Sequence, residues 1–139
     1  MKLEAEKIFT LFVQCEQGKI IGDDGAGMLQ VIPIISGSFT GKINGKIIKG
    51  GADWNTACTN GLAHVFAKYM LQTEDGICIA IENEGKILAS EKFKTIKTFT
   101  RFQVANESIY SWLNSGVYVG SLDGTENQGE VKIEIFKLE

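Results

Sequence analysis

The feature that most constrains the fold is a period-two alternation of apolar and polar residues, interrupted at short intervals by turn-forming dipeptides. Successive side chains of a β-strand point to opposite faces, so this pattern is typical of strands with one face in a core. Three dipeptides that favour tight hairpin turns divide the middle of the chain: Asn44-Gly45, Asn60-Gly61 and Asp75-Gly76. Helical periodicity is almost absent. The sequence therefore predicts nine or ten short antiparallel strands.

The predicted strand at 62–73 favours a barrel over a sandwich, because it carries apolar residues on both faces. Such a strand fits a barrel whose outer surface packs on another segment or on another subunit, and we expect a homo-oligomer. No linker divides the 139 residues, so we predict one all-β domain over 1–139. At most one or two short helical turns are expected, at 89–95 with Ser90 as N-cap and within 106–114.

Three local features refine this prediction. The glycine-rich segment 22–27 is expected to be a loop. The only proline, Pro33, lies in an apolar run at 28–35, and we expect that strand to be edge-like or bulged because proline has no N–H to donate. Glu84-Gly85 is expected to turn the chain into a further short strand at 86–88.

Charge and composition exclude several classes of protein. The net charge of −3 argues against nucleic-acid binding, which needs clustered lysine and arginine, and no apolar run reaches the ~20 residues of a membrane span. The N-terminus has no apolar signal core. The three cysteines, Cys15, Cys58 and Cys78, are an odd number without paired spacing, as expected of small buried residues in a reducing compartment. We therefore expect a cytoplasmic protein.

Familiar catalytic and metal-binding patterns are missing from the sequence. A nucleophile–histidine pair would have to use His64, the only histidine, and a packing or surface role is the stronger interpretation. Zinc needs three or four suitable ligands, and the segment 123–130 has too few carboxylates for a calcium loop. Residues 41–46 lack phosphate-loop spacing. We expect neither a metal nor a cofactor.

One stretch departs from ordinary packing: Gly50-Gly51-Ala52-Asp53-Trp54-Asn55. Tandem glycines are costly in a regular strand, so they indicate either a bulge or barrel corner with Trp54 as a core plug, or a site that a ligand approaches closely. Asp53 is the candidate general acid or base, since a partly apolar mouth disfavours its charged form. Alternation places Asp53 and Trp54 on opposite faces unless the glycines form a bulge.

Further polar and aromatic residues have the chemistry of a small-molecule pocket. Tyr69 shares a predicted strand face with the small residues Ala63 and Ala67. A large side chain beside small ones on an inward face can leave a cavity in a barrel. Each candidate also has a purely structural alternative, such as pairing with a surface acid or satisfying a loop backbone. The candidate ligand-binding residues are Trp54, Tyr69, Asn83, Arg101, Trp112 and Asn114.

Several motifs together resemble the uncharacterised DUF3237 family, also called UPF0311. The resemblance begins with Ile32-Pro33-Ile34, Gly37-Ser38-Phe39-Thr40-Gly41 and Gly50-Gly51-Ala52-Asp53-Trp54. It continues through the central hairpin and the motifs Thr98-Phe99-Thr100-Arg101-Phe102 and Tyr110-Ser111-Trp112-Leu113-Asn114. The resemblance implies a small antiparallel barrel of the calycin-like kind and, for most members, no established activity.

The chain departs from the pattern of that family at three positions. Members often have an acidic residue where this chain has Phe66, an arginine where it has Lys68 and a glutamate where it has Gln103. If those acids do chemistry in relatives, this chain lacks part of it.

Two functions of different classes follow from these residues. The first is binding of a small, partly aromatic or acidic metabolite in the barrel mouth. The alternative is a cofactor-independent enzyme, an isomerase, cyclase or hydrolase, with Asp53 transferring a proton. A buried carboxylate within hydrogen-bonding reach of Tyr69 or Asn83 favours the enzyme, a wholly apolar pocket favours binding, and a filled barrel favours a third role, as an assembly unit.

Overall fold

A computed structural model describes residues 1–91 and 94–139. Within these residues there are nine β-strands and two 3₁₀ turns. The strands are β1 (Ala5–Cys15), β2 (Lys19–Asp23), β3 (Gly27–Gly41), β4 (Gly45–Cys58), β5 (Leu62–Thr73), β6 (Cys78–Leu88), β7 (Ile96–Gln103), β8 (Tyr118–Gly124) and β9 (Glu130–Leu138). The 3₁₀ turns are Ala89–Glu91 and Ser111–Asn114.

Eight of the described strands close into an antiparallel barrel, which confirms the predicted fold class. Each strand from β3 to β9 pairs with the next, and β1 pairs with β9 on one edge and with β3 on the other. The ninth strand, β2, pairs with the first half of β3, and β1 pairs with its second half. β1 and β2 thus pair with the same edge of β3, one after the other, with a break between them.

Pro33 lies on β3 opposite the break between β1 and β2. It pairs with Ala52 of β4 on one side of β3. On the other side its carbonyl accepts a hydrogen bond of 2.9 Å from the Glu16 N–H, in the segment between β1 and β2. A residue without an N–H is accommodated there because the ladder is already broken.

Two local predictions were wrong, those of a turn at Glu84-Gly85 and of a loop beginning at residue 22. A third, the helical turn at 89–95, lies only partly within the described residues. Glu84-Gly85 does not turn the chain, because both residues lie inside β6, opposite Phe66 and Val65 of β5. The strand β2 was not predicted, and it extends into the segment expected to be a loop from residue 22. The helical turn predicted at 89–95 is present as Ala89–Glu91, with Ser90 inside it rather than capping it, and residues 92 and 93 lie outside the described residues.

The core fills one end of the barrel. Aromatic rings pack there in a chain, with Phe9 5.5 Å from Phe39 and 5.8 Å from Phe102 between centroids, and Phe102 5.2 Å from Tyr118. The loop between β7 and β8 covers this end and inserts the fully buried Leu113 from its 3₁₀ turn. This end is called the closed end below.

The tandem glycines form a bulge in β4, and each glycine is required for a different reason. Ile48 pairs with Met70 and Ala52 with Lys68, so residues 49–51 stand opposite the single residue Tyr69. Gly50 has φ = 128°, a conformation that other residues rarely adopt. Gly51 has no such φ, but a Cβ on it would lie 2.3 Å from the Tyr69 Cβ.

The bulge sets which side chains of β4 face inward. It adds two residues relative to β5, an even number, so the alternation on its two sides stays in phase. Ile47 before the bulge and Asp53 after it therefore both point into the barrel, and Trp54 points outward. The bulge does not bring Asp53 and Trp54 to one cavity.

The three cysteines, all within the described residues, are free. Cys15 and Cys58 are half-buried, but Cys78 at the start of β6 is exposed, so the prediction that all three are buried was wrong for Cys78. No helix among the described residues has the length and apolar character needed to span a membrane.

We predict that Gly51→Ala destabilises the barrel, because the new methyl group collides with the Tyr69 backbone and Cβ. Overpacking of this kind costs about 1–3 kcal/mol. Gly124→Ala is the matched control, since a Cβ there meets nothing within 4 Å and its φ is not left-handed. Urea denaturation should show a loss for Gly51→Ala alone. Equal midpoints for the two variants would contradict the packing argument.

Candidate functional site

A cavity of about 360 Å³ opens at the end of the barrel opposite the closed end. The connection between β6 and β7, through Lys94, and the end of β8, through Asp123 and Gly124, form part of its rim. Most of its wall is aliphatic, with polar groups concentrated on β4, β6 and β7. Its lining residues are Asp53, Asn55, Val65, Ala67, Asn83, Lys94, Ile96, Thr98, Leu122, Asp123, Gly124, Val131 and Ile133.

The cavity exists because small residues occupy inward positions at this end. Asp53, Ala67 and Asn83 form a row across β4, β5 and β6, since Asp53 pairs with Ala67 and Ala67 with Asn83. Ala67 leaves only a methyl group between the two polar side chains. At the closed end the equivalent space is filled by aromatic rings.

The Asp53 carboxylate is held by the neighbouring strand. β4 and β5 pair at Asp53–Ala67 and again at Thr56–His64, and between these pairs the Phe66 N–H donates to Asp53 Oδ1 at 3.0 Å. Asp53 Oδ2 lies 3.5 Å from Asn55 Nδ2. Burial raises the pKa of Asp53, and the two hydrogen bonds offset this only in part. Asp53 is therefore easier to protonate than an ordinary aspartate.

Asn83, on β6, is the centre of a buried hydrogen-bond network two strands away from Asp53. It is 2 % exposed, and its Oδ1 accepts from Thr100 Oγ1 at 2.6 Å and from Thr98 Oγ1 at 3.3 Å. Its Nδ2 donates to Tyr69 Oη at 3.4 Å. Burial raises the pKa of Tyr69 far above its ordinary value, so the hydroxyl stays protonated. The network gives this wall fixed polar groups within the barrel.

The structure places two of the candidate residues on the outer surface of the barrel. Trp54 is 49 % exposed, opposite Val31 of β3. Arg101 is exposed as well, with its Nη1 3.8 Å from Glu84 Oε1. Neither lines the cavity, because strand alternation turns both outward, and we leave them out of the proposed site.

Two further candidates lie at the closed end. Asn114 donates to the Val104 carbonyl and accepts from the Val104 N–H, both at 2.9 Å, so it fixes the covering loop. Trp112 packs against the core, and its carbonyl accepts a hydrogen bond of 3.0 Å from Tyr118 Oη. Both are therefore distant from the cavity, and their contacts are structural.

The departures from the family pattern do not alter the lining of the cavity. Phe66, Lys68 and Gln103 alternate outward on β5 and β7, and none of them is a lining residue. Asp53 contacts only the backbone N–H of Phe66, which any residue at that position supplies. His64 is also on the outer face, with Nε2 2.8 Å from Glu84 Oε2.

Sequence reasoning missed several residues that the cavity brings together. Thr98 and Thr100 stand on an inward face that is otherwise apolar, and that mismatch is a signal that could have been used. Asn55 alternates in phase with Asp53. Lys94 comes from the connection between β6 and β7, whose position local patterns do not reveal, and Asp123 comes from the end of β8.

No group of three histidine, cysteine, aspartate or glutamate side chains in the described part of the chain is arranged to hold a metal ion. The polar groups that line the cavity are carboxyl, amide, hydroxyl and amine groups.

Comparison with known proteins places these features in a family. The model of the family described as "Protein of unknown function (DUF3237)" matches residues 3–138. A UPF0311 protein of Bradyrhizobium diazoefficiens is 31 % identical over 133 residues, covering 86 % of this chain and 87 % of the relative.

Solved structures share the barrel. A protein of unknown function from Clostridium acetobutylicum superposes with a TM-score of 0.86 at 26 % identity, covering 99 % of this chain and 100 % of that one. A β-barrel-like protein from Acinetobacter baumannii gives a TM-score of 0.84 at 29 % identity, with coverages of 100 % and 98 %.

Because the pKa of Asp53 is raised in the folded state, Asp53→Asn should become progressively more stable than the parent as the pH rises above about 4. Below that value the carboxyl is protonated in both the folded and the unfolded states, so its charge costs nothing. At higher pH only the parent buries a charge, and asparagine can still accept the Phe66 N–H. Urea denaturation between pH 4 and pH 8 measures this difference.

Asp75→Asn is the matched control, for which we expect the opposite change in stability with pH. Hydrogen bonds from Thr73 and Tyr110 lower the pKa of Asp75, so its charge stabilises the folded state and the variant should lose stability relative to the parent as the pH rises. Two variants with the same pH trend would contradict the assignment of Asp53 to a desolvated site.

Proposed function

The chain belongs to the DUF3237 family of uncharacterised proteins, and we propose that it binds a small, largely apolar organic metabolite in the mouth of its β-barrel. The observation that supports this proposal is the Asp53 carboxyl, which is partly desolvated in the wall of a mostly aliphatic cavity. A cavity of about 360 Å³ is within the size range of small-molecule sites, which combine apolar walls with a few convergent polar groups.

The lining suggests how such a ligand is oriented. Val65, Val131 and Ile133 offer a surface for a carbon ring, aromatic or saturated, and Asp53 and Asn83 face its polar substituents. An acidic group would be repelled by Asp53 and would instead lie at the rim, beside Lys94. The ligand class is therefore a compact ring compound with few polar atoms.

A second function, proton-transfer catalysis by Asp53, is favoured by the environment of that carboxyl. One oxygen is fixed by the Phe66 N–H at 3.0 Å, and Oδ2, whose only described hydrogen bond is the long contact of 3.5 Å with Asn55 Nδ2, can exchange a proton with a ligand. Burial raises the pKa of Asp53, and a carboxyl whose pKa is raised is a stronger general base than an ordinary aspartate. An isomerase, cyclase or hydrolase without a cofactor would use this group.

We also propose a homo-oligomer. Large apolar side chains are exposed on the outer surface, among them Trp54, Phe99 and Ile20, and burial of such side chains against a second copy favours association. A cytoplasmic location remains a prediction from the sequence.

Native mass spectrometry of freshly purified protein tests the binding proposal and also reports the number of subunits. We expect a bound organic mass on the parent, and its loss from Ala67→Leu, which fills the gap between Asp53 and Asn83 with carbon. Asp53→Asn should weaken retention, since losing a hydrogen bond to a charged group costs about 1.5–3 kcal/mol.

Trp54→Phe is the control on the outer surface and should retain the ligand as the parent does. A bound mass that persists in Ala67→Leu, or that is lost only from Trp54→Phe, would place the ligand outside the cavity and contradict the proposal.

A further inference from the structure

We propose that Asn83 is locked as a hydrogen-bond donor, so that the cavity selects a ligand with an acceptor oxygen, a carbonyl on an apolar carbon frame. This inference rests on the proposed binding function and specifies the chemistry of its ligand. The residues that lock Asn83 are Thr98 and Thr100, which act as positioning residues.

The acceptor capacity of Asn83 is already used. A side-chain amide oxygen has two lone pairs, and Asn83 Oδ1 receives hydrogen bonds from both Thr100 Oγ1 and Thr98 Oγ1. The amide nitrogen has two hydrogens, and one of them is directed to Tyr69 Oη at 3.4 Å. What Asn83 can still offer to the cavity that it lines is therefore an N–H group.

The orientation of the amide follows from its distances. The contact with Thr100 is 2.6 Å, which suits an O–H···O bond and is short for a bond donated by an amide nitrogen. The contact with Tyr69 is longer, at 3.4 Å. Exchanging the oxygen and the nitrogen would place an N–H at the short distance, so the oxygen faces β7.

The backbone of β8 closes the space behind this network. A Cβ at Gly120 would lie 2.5 Å from Thr98 Oγ1 and 3.2 Å from both Asn83 Oδ1 and Thr100 Oγ1. The φ of Gly120 is not left-handed, so glycine is needed there for space alone. Glycine at this position therefore lets the Asn83 amide and the two threonine hydroxyls lie close to the backbone of β8, and the hydrogen bonds from those hydroxyls hold the amide oxygen there.

The Asp53 carboxyl completes the selection. Asp53 stands on the other side of Ala67 and can accept a hydrogen from the ligand or, when protonated, return it. A carbonyl oxygen at Asn83 satisfies the N–H and has no hydrogen of its own to place, whereas a hydroxyl there would have to reach Asp53, beyond Ala67, to donate its hydrogen. A carbonyl is therefore the better partner.

The test compares two probes with the same carbon frame, 1-tetralone and tetralin, which differ by one carbonyl group. Isothermal titration calorimetry on the parent protein should show 1-tetralone binding about tenfold more tightly, the factor that corresponds to about 1.4 kcal/mol. The infrared C=O stretch of bound 1-tetralone should move to lower frequency than in an apolar solvent, since the carbonyl accepts a hydrogen bond.

Two isosteric substitutions assign the effect to the locked amide. Asn83→Leu removes the donor and should abolish the preference, so that the two probes bind with about equal affinity and the C=O stretch is unshifted. Thr100→Val keeps the shape but frees the amide, and the preference should fall to about threefold. Thr73→Val is the control, a buried threonine at the closed end, and should leave the preference unchanged. Thermal denaturation confirms that each variant is folded.

The outcomes separate this inference from the function on which it rests. If neither probe binds, the proposed function itself fails. If both bind equally with an unshifted carbonyl, the cavity is a binding site but its selectivity is not set by Asn83. If the shift survives Asn83→Leu but disappears in Asp53→Asn, the donor is the Asp53 carboxyl, and the inference is overturned.

Discussion

The structure depends on the close approach of two backbones, where Gly51 of β4 packs against Tyr69 of β5. A methyl group at Gly51 would lie 2.3 Å from the Tyr69 Cβ, so the bulge at Gly50-Gly51 is possible only without that side chain. The bulge adds an even number of residues and keeps β4 in phase with its neighbours. Asp53 consequently faces the interior, and its carboxyl lines a cavity whose wall is mostly aliphatic.

The barrel divides into two halves with different packing. At the closed end, aromatic rings and Leu113 fill the interior as expected of a close-packed core. At the open end, Ala67 and Gly120 take the inward positions, and the polar groups of Asn83 and its threonines replace apolar volume. Burying such a network costs free energy unless each group is satisfied, and it supplies fixed hydrogen-bonding geometry in return. This arrangement supports a ligand site more than a purely structural barrel.

Much of the fold could be predicted from the sequence, because strand alternation and turn dipeptides are local signals. The same signals failed at Glu84-Gly85, where pairing with β5 overrides the turn preference. For the site, the sequence indicated Asp53 through the glycine motif and Asn83 through its residue chemistry. It could not exclude Arg101 or Trp112, because the faces and ends of a barrel are set by closure and by the covering loop. Residues joined through space, such as Asn83 and Thr100, needed the register of β6 and β7.

The central claim is that Asp53 is a desolvated carboxyl facing a cavity that a small molecule can fill. Its most direct test is a carbon-13 NMR titration of the Asp53 side-chain carboxyl, assigned with Asp53→Asn, with and without 1-tetralone. We expect the Asp53 carboxyl to titrate with a midpoint above the ordinary aspartate value of about 4, and its resonance to change when the probe binds. A carboxyl that titrates at the ordinary value, and whose resonance is unaffected while the probe binds, would contradict it.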